Sequence, residues 1–398
     1  MPILQKLKAM IHPPAPVLSA TLEKDDVQLA KHWLAQPQED WFNPATISEW
    51  EQLFAHWLGI EHTFAFAGGR AALYHAVMAL GLCAESEVIL PAFTCQSVVN
   101  AFQYQQINPL YADIETDTYG LDIESVKQVY TPNCKAIMLQ YTFGLVSRDI
   151  EALIQFAQEK NLYIIEDCAH ALGATYKDRK LGTLGDIAVF SSERSKIINT
   201  IHGGMVACQN DVLAQRLAKQ YEQAPFSSPE KIKKLLNTLI QNYYIYKHPQ
   251  RFFTGPWAQK HFNEVLPQMF PEEFTDTFCT HYLEKMSAPV AALSINQFQK
   301  MERFNTKRRA IAKQWDCWAE KQGYKKPVVL PNSTAVFLRY PVCVPIKMKQ
   351  NTDWALEQLN VHAGVWFTSA AHPTPLFLEH CPNGTRAAQE CINLPTLI

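Results

Sequence analysis

From Thr63 to Cys208 short apolar runs alternate with stretches of helical periodicity, and this rhythm constrains the fold more than any other feature of the chain. Seven runs read as strands: Thr63–Phe66, Glu87–Leu90, Pro109–Asp113, Ala136–Gln140, Leu162–Asp167, Ile187–Phe190 and Met205–Cys208. They are continuous in their apolar character rather than alternating, which marks strands buried on both faces. Arg70–Leu80, Ile123–Tyr130 and Ile150–Lys160 read as helices between them. Alternating strands and helices build a mainly parallel sheet covered on both sides, with ligands at the carboxyl ends of its strands. Those ends carry Pro91, Gln140, Asp167 and Ser191.

Outside this block, Ile47–Leu58 reads as a helix, with Trp50, Leu53, Phe54 and Trp57 at helical spacing. A longer helix is expected over about Val290–Lys321, and the remainder, through Val336–Val344, Trp354–Leu359 and Val361–Phe367, reads as a small α+β domain. The expected division is an amino-terminal arm and large α/β domain over 1–285, then a smaller domain over 286–398. With 398 residues, 47% of them hydrophobic, the chain is long enough for both.

A net charge of -2 gives no bulk attraction to nucleic acid. The ten cysteines are scattered, without a Cys-x-x-Cys pair, so neither a zinc site nor a redox dithiol is expected, and the usage suits a reducing compartment. Met1–His12 is too short and interrupted for a signal peptide, and no run reaches the roughly 18 apolar residues of a spanning helix, so a cytoplasmic location is expected.

The chemistry-bearing residues sit at the strand ends. Asp167 closes Leu162-Tyr163-Ile164-Ile165-Glu166-Asp167, and Lys196 follows the strand that ends in Phe190-Ser191. An acid for a pyridinium nitrogen, an amine for an imine and a hydroxyl for a phosphate are what a pyridoxal phosphate site requires. Alone, Asp167 reads as the end of a strand that caps the following turn, and Lys196 as a solvated surface residue. Ala67-Gly68-Gly69-Arg70-Ala71-Ala72-Leu73 follows a strand and opens a helix, so the free amides of Gly69, Arg70 and Ala71 can hold a phosphate. The segment lacks the spacing of a dinucleotide fingerprint or a P-loop, which argues against dehydrogenase and ATPase chemistry.

The order of these landmarks resembles the DegT/StrS sugar aminotransferases, pyridoxal phosphate enzymes of the aspartate-aminotransferase fold (fold type I). The matching segments are Gly68–Leu73, Glu87–Thr94, Ile165–His170, Gly182–Ser191, Lys196, Gly203-Gly204, and Lys285-Met286-Ser287 leading into Lys307–Ala312. The resemblance implies Lys196 as the Schiff-base lysine and Asp167 as the partner of the ring nitrogen. It also implies Ser191 with the Gly69 and Arg70 amides as the phosphate cradle. His170 stands where the family usually has glutamine beside the cofactor; the plain alternative is a satisfied core histidine. If His170 faces the cofactor, its titration is expected to make the cofactor spectrum sensitive to pH. Cys95 occupies the place of the family's stacking aromatic ring, so stacking is either lost or supplied by Phe93. Leu283 stands where a neighbouring subunit usually contributes asparagine. The chain ends at Ile398, just after Asn393-Leu394-Pro395, so an abbreviated small domain is expected.

The implied activity is transfer of an amino group from glutamate to a keto-sugar, nucleotide-linked, for a polysaccharide, lipopolysaccharide or related product, in a homodimer. A cofactor-binding regulator or membrane-associated protein without turnover and a pyridoxal phosphate-dependent sugar dehydratase are the alternatives; family dehydratases replace the lysine with histidine, so Lys196 disfavours the second. One segment stands outside the resemblance, a basic and aromatic insertion over about 225–271. From Lys231 to Tyr244 its apolar residues fall on one face, and Lys247, His248, Arg251, Phe252, Phe253, Trp257 and Lys260 follow. Two readings are open: packing against the parent domain or a second subunit, and peripheral contact of residues 231–260 with an anionic membrane.

Overall fold

The computed structural model describes residues 15, 18–247, 269–275 and 277–398. Its centre is a seven-stranded sheet in the order His62–Phe66, Gly204–Cys208, Ile187–Ser191, Tyr163–Asp167, Cys134–Gln140, Glu87–Pro91, Asn108–Ala112. Gly204–Cys208 runs antiparallel to both neighbours, and every other pairing is parallel. All seven expected strands are therefore present in one mostly parallel sheet. The reason is burial: Val88, Ile89, Leu90, Ile137, Met138 and Ile165 are wholly enclosed, and such β-branched and long apolar side chains fit a pleated surface covered on both sides.

Gly69–Leu80, Ile123–Val129 and Ile150–Lys160 supply the expected helices, and Gln96–Gln103 and Asp211–Gln223 add two more. Pro44–Leu58 buries Ile47, Trp50, Phe54 and Leu58, with Phe54 edge-on to Phe190 at 4.9 Å between ring centres. The helix expected over about 290–321 is two, Ala288–Gln299 and Met301–Gln322. The break falls at Lys300, whose ammonium is held by Asp25 at 2.9 Å and Asp26 at 2.8 Å.

Val290, Ala291, Leu293 and Met301 belong to the core of the large sheet, whereas Ala312, Trp315 and Ala319 pack with Tyr340, Val342, Ile392 and Leu394. The chain thus passes from one core to the other inside Met301–Gln322, later than the division placed at 285. In the small domain Arg339–Cys343 pairs antiparallel with Cys391–Pro395. Residues 361–367 form no strand; they cross to the large domain, where Ala371–His372 pairs in parallel with Thr94–Cys95.

The amphipathic segment forms the helix Pro229–Lys247, with Ile232, Leu235, Leu236 and Leu239 buried in the large core. Its apolar face is therefore spent on packing. Lys231 reaches inward to Glu284 at 2.6 Å. The membrane reading loses its apolar stripe over 231–247; His248, Arg251, Phe252, Phe253, Trp257 and Lys260 lie outside the described residues. Among the described residues no helix is long and apolar enough to cross a membrane.

Candidate active site

At the carboxyl edge of the parallel strands lies a cavity of about 510 Å³, the size of a small-molecule site. Gly69, Arg70, Cys95, Asp167, His170, Ser191 and Lys196 all line it. Phe93 does not. It is wholly buried in the other core, 5.1 Å from Phe367 and 5.9 Å from Tyr119 between ring centres. The Gln140 amide donates to the Phe93 carbonyl at 3.1 Å and Gln140 accepts from the Thr94 hydroxyl at 2.5 Å, fixing a bend after which Cys95 is the side chain at the cavity. The expectation that Phe93 supplies the missing ring is thus corrected. The cavity's aromatic lining includes Tyr141, Phe190, Phe270, Phe274, Trp366 and Phe367, the last two from the tail of the chain.

Glu166 and Asp167 show how one strand serves both anchor and site. Consecutive strand residues point to opposite faces. Glu166, fully buried, accepts from the Tyr141 hydroxyl at 2.7 Å and from the amides of Gly182, Leu184 and Gly185 at 2.8, 2.6 and 2.7 Å. Asp167 turns to the cavity, with one oxygen taking the Ala169 amide at 3.0 Å. Burial raises its pKa, opposed by that bond and by the Lys196 charge. A carboxylate in this setting is stabilised further by a cation placed against it, such as a protonated ring nitrogen.

Lys196 rides on a loop that closes on itself. The Ser192 amide donates to Gly203 at 2.8 Å, Thr200 to Ser192 at 2.9 Å and Arg194 to Ile201 at 3.1 Å, while the Ser192 and Thr200 hydroxyls meet at 2.7 Å. Burial lowers the pKa of Lys196, with Glu193 and Asp167 acting against that shift. The ammonium lies over Trp366, 5.3 Å from the ring centre.

The expected phosphate cradle lies at the start of the Gly69–Leu80 helix. Gly68 is extended and offers no side-chain cap, and the first helical bond runs from Ala72 to Gly68, so the amides of Gly69, Arg70 and Ala71 precede it. A Cβ at Gly69 would meet Ser191 Cβ at 2.8 Å and Oγ at 2.9 Å, and a Cβ at Gly204 would meet the Gly68 carbonyl at 2.4 Å. Bare backbone is required at both places, and it brings helix amides beside a hydroxyl at the positive end of a dipole. The Arg70 side chain leaves this cradle: it pairs with buried Glu273 and lies over Phe270. With Asp167 and Lys196 deeper in the same cavity, the residues present fit pyridoxal phosphate.

His170 faces the cavity as a neutral ring. Its Nδ1 accepts from the Phe143 amide at 3.2 Å, which puts the proton on Nε2. Burial holds its pKa well below the usual histidine range, and the charges of Lys196 and Arg339 push the same way. The expected pH-sensitive spectrum therefore loses its basis through the neutral range. His170 is also stacked on Trp366, 5.5 Å between ring centres with planes 8° apart.

Sequence reasoning missed Trp366, Phe367, His372, Glu193 and His202, which all line the cavity. The adjacent aromatics Trp366-Phe367 were the one legible signal, in a segment read only as part of a small α+β domain.

The model of the DegT/DnrJ/EryC1/StrS aminotransferase family matches residues 23–248 and 255–397. The chain is 37% identical over 171 residues to GDP-perosamine synthase of Caulobacter vibrioides, covering 43% of this chain and 46% of that protein. It is 33% identical over 171 residues to the spore coat polysaccharide biosynthesis protein SpsC of Bacillus subtilis, covering 43% and 44%. The match thus spans less than half the length of these curated relatives. Among solved structures, the aminotransferase TlmJ of Streptoalloteichus hindustanus superposes with a TM-score of 0.72 at 20% identity, covering 96% of this chain and 93% of that one. Helicobacter pylori PseC, described as an aminotransferase involved in the biosynthesis of pseudoaminic acid, gives 0.71 at 16% identity, covering 96% and 93%. At these identities the superpositions establish the aminotransferase fold.

Proposed function

The chain belongs to the DegT/DnrJ/EryC1/StrS aminotransferase family, and from that membership we propose that it is a pyridoxal phosphate-dependent aminotransferase acting on a keto-sugar. The observation that carries the proposal is the convergence of Lys196, Asp167, Ser191 and the Gly69 amide on one cavity. Pyridoxal phosphate, when bound, supplies an electron-withdrawing ring that acidifies the carbon bearing the substrate nitrogen. The protein's part follows from its side chains. Asp167 keeps a negative charge against the ring nitrogen. The Gly69, Arg70 and Ala71 amides and the Ser191 hydroxyl hold the phosphate. Lys196 Nζ, its pKa lowered by burial, would exchange between amine and ammonium and so would take up and return the proton at the substrate carbon that bears the nitrogen. His170 offers its Nε2 proton as a fixed donor, and Trp366 and Phe367 wall the site from solvent.

Glutamate as the donor and a nucleotide-linked sugar as the acceptor are the substrates we propose, the latter supported by the relatives named for GDP-perosamine and spore coat polysaccharide. A homodimer is the assembly that the family resemblance implies, and light scattering measures it. The decisive experiment is half-transamination. Glutamate added to the cofactor-loaded chain should abolish the visible band and release one equivalent of 2-oxoglutarate. A chain that binds cofactor yet releases no oxoacid from any amino acid is a regulator without turnover. Borohydride reduction and peptide mapping should place the cofactor on Lys196; a label elsewhere rejects this site.

A further inference from the structure

Arg194, Ser195 and Lys196 also wall a second void, of about 20 Å³, room for one water-sized occupant. Its other polar walls are Ser19, Thr21, Arg308, Arg339 and Thr396. Arg308, on the inner face of Met301–Gln322, is 3% exposed. One of its terminal nitrogens donates to the Ile197 carbonyl at 3.3 Å, but its buried Nε has no acceptor. On the same helix Arg303 pairs with Glu23 and Arg309 with Glu302, whereas Arg308 has no carboxylate partner among the described residues. Thr21, 2% exposed, has a buried hydroxyl that likewise lacks a partner. Arg339, 4% exposed, donates to Asn393 at 2.8 Å and stacks on Trp366 at 3.7 Å. Glu193, the acid nearest in effect to Arg339, already accepts from Ser195 at 2.9 Å and faces Arg194 at 3.3 Å.

We propose that this void is a binding site for one small monovalent inorganic anion, a halide such as chloride, held by Arg308 and Arg339 with the Thr21 hydroxyl as a further donor. Water would satisfy Nε and the hydroxyl but would leave the Arg308 charge buried without a carboxylate among the described residues, a costly arrangement. Burial, and for Arg308 the facing Arg339, lowers both guanidinium pKa values to about 9, so both remain charged at neutral pH. A halide satisfies the donors and compensates the charge, and the void is too small for a carboxylate-bearing substrate. Because Arg308 also holds the carbonyl next to Lys196, the anion steadies the lysine loop from behind. The inference does not depend on the cofactor.

Two measurements test it. Crystals of the full chain soaked in sodium bromide should show a bromine anomalous peak in contact with Arg308 Nε and Thr21 Oγ1; a site holding only water, with no anomalous signal, overturns the proposal. Thermal unfolding at constant ionic strength, with chloride replacing gluconate, should raise the Tm of the wild type saturably by about 2–4 °C. Arg308→Gln should abolish that rise and Thr21→Val should weaken apparent chloride binding about 10-fold. A wild-type Tm indifferent to chloride also overturns it, and neither wild-type readout requires a variant to fold.

Discussion

The Lys196 ammonium and the Trp366 indole meet in the cavity, with Nζ 5.3 Å from the ring centre. The same indole stacks on the Arg339 guanidinium at 3.7 Å and lies parallel to His170. One ring from the tail therefore sets the spacing of two cations and a neutral imidazole. Cation–π contacts of this kind contribute on the order of 1–2 kcal/mol when shielded from water, which corresponds to about a 10-fold effect. Trp366→Ala is expected to lower kcat about 10-fold and to weaken cofactor affinity similarly, and Trp366→Phe to recover most of both. Steady-state kinetics and cofactor titration measure the two effects. If the alanine variant stays within twofold on both, the indole is only a wall.

His170 makes a prediction about pH whose sign can be worked out. Its folded pKa lies well below the usual histidine value, so below about pH 6.5 the unfolded chain binds more protons than the folded one. The contribution is complete above about pH 6.5 and is lost as pH falls below it, at up to about 1.4 kcal/mol per pH unit. His372, pushed down to about 4 by burial and by Lys349, acts in the same sense. The visible spectrum of the holoenzyme should show no transition between about pH 6.5 and 8. Acid unfolding should begin below that range, and His170→Gln should make it shallower. A spectral transition near pH 6.5 that disappears in His170→Gln would falsify this reading.

The large domain was legible because each of its strands is a local object. A run such as Glu87-Val88-Ile89-Leu90-Pro91 is apolar throughout and ends at a turn residue, whatever lies elsewhere in the chain. That Asp167, Gly69 and Ser191 would face one cavity was legible for the same reason, since each sits at an element end, and Lys196 lies on the loop after the strand that ends at Ser191. Trp366 and Phe367 were not, because they reach the cavity through a segment without regular structure, positioned by the pairing of Ala371–His372 with Thr94–Cys95. Nor was the break at Lys300. There Lys300 is held by Asp25 and Asp26, some 275 positions away. The burial of Phe93 depends likewise on a long-range bond from Gln140.

Glu166 should matter for stability rather than for chemistry. It fastens the Gly182–Gly185 turn to the strand that carries Asp167 through three amide donors and the Tyr141 hydroxyl. In Glu166→Gln the charge is lost and one carboxylate oxygen becomes an amide donor pointed at backbone N–H groups. A buried mismatch of that kind costs about 2–4 kcal/mol. The expected outcome is a lower Tm by chemical or thermal denaturation, with kcat per folded molecule within a few-fold of wild type. A stable variant with lost turnover would mean that Glu166 acts on the reaction itself.

Gly69→Ala tests the cradle most directly, because the added methyl has nowhere to go. Its carbon would lie 2.8 Å from Ser191 Cβ, and Ser191 is fixed in the sheet opposite Gly204. Relief requires the amino end of the Gly69–Leu80 helix to move away from Ser191, which parts the amides from the hydroxyl they work with. Cofactor affinity should fall by about 100-fold, as expected when charge-assisted bonds of about 1.5–3 kcal/mol are lost. Ser191→Ala, which removes one donor and leaves the helix in place, should cost only about 10-fold. Inorganic phosphate should compete with the cofactor in the wild type and lose that competition in Gly69→Ala. Equal cofactor affinity in wild type and Gly69→Ala, measured by fluorescence titration, would show that the phosphate is held elsewhere.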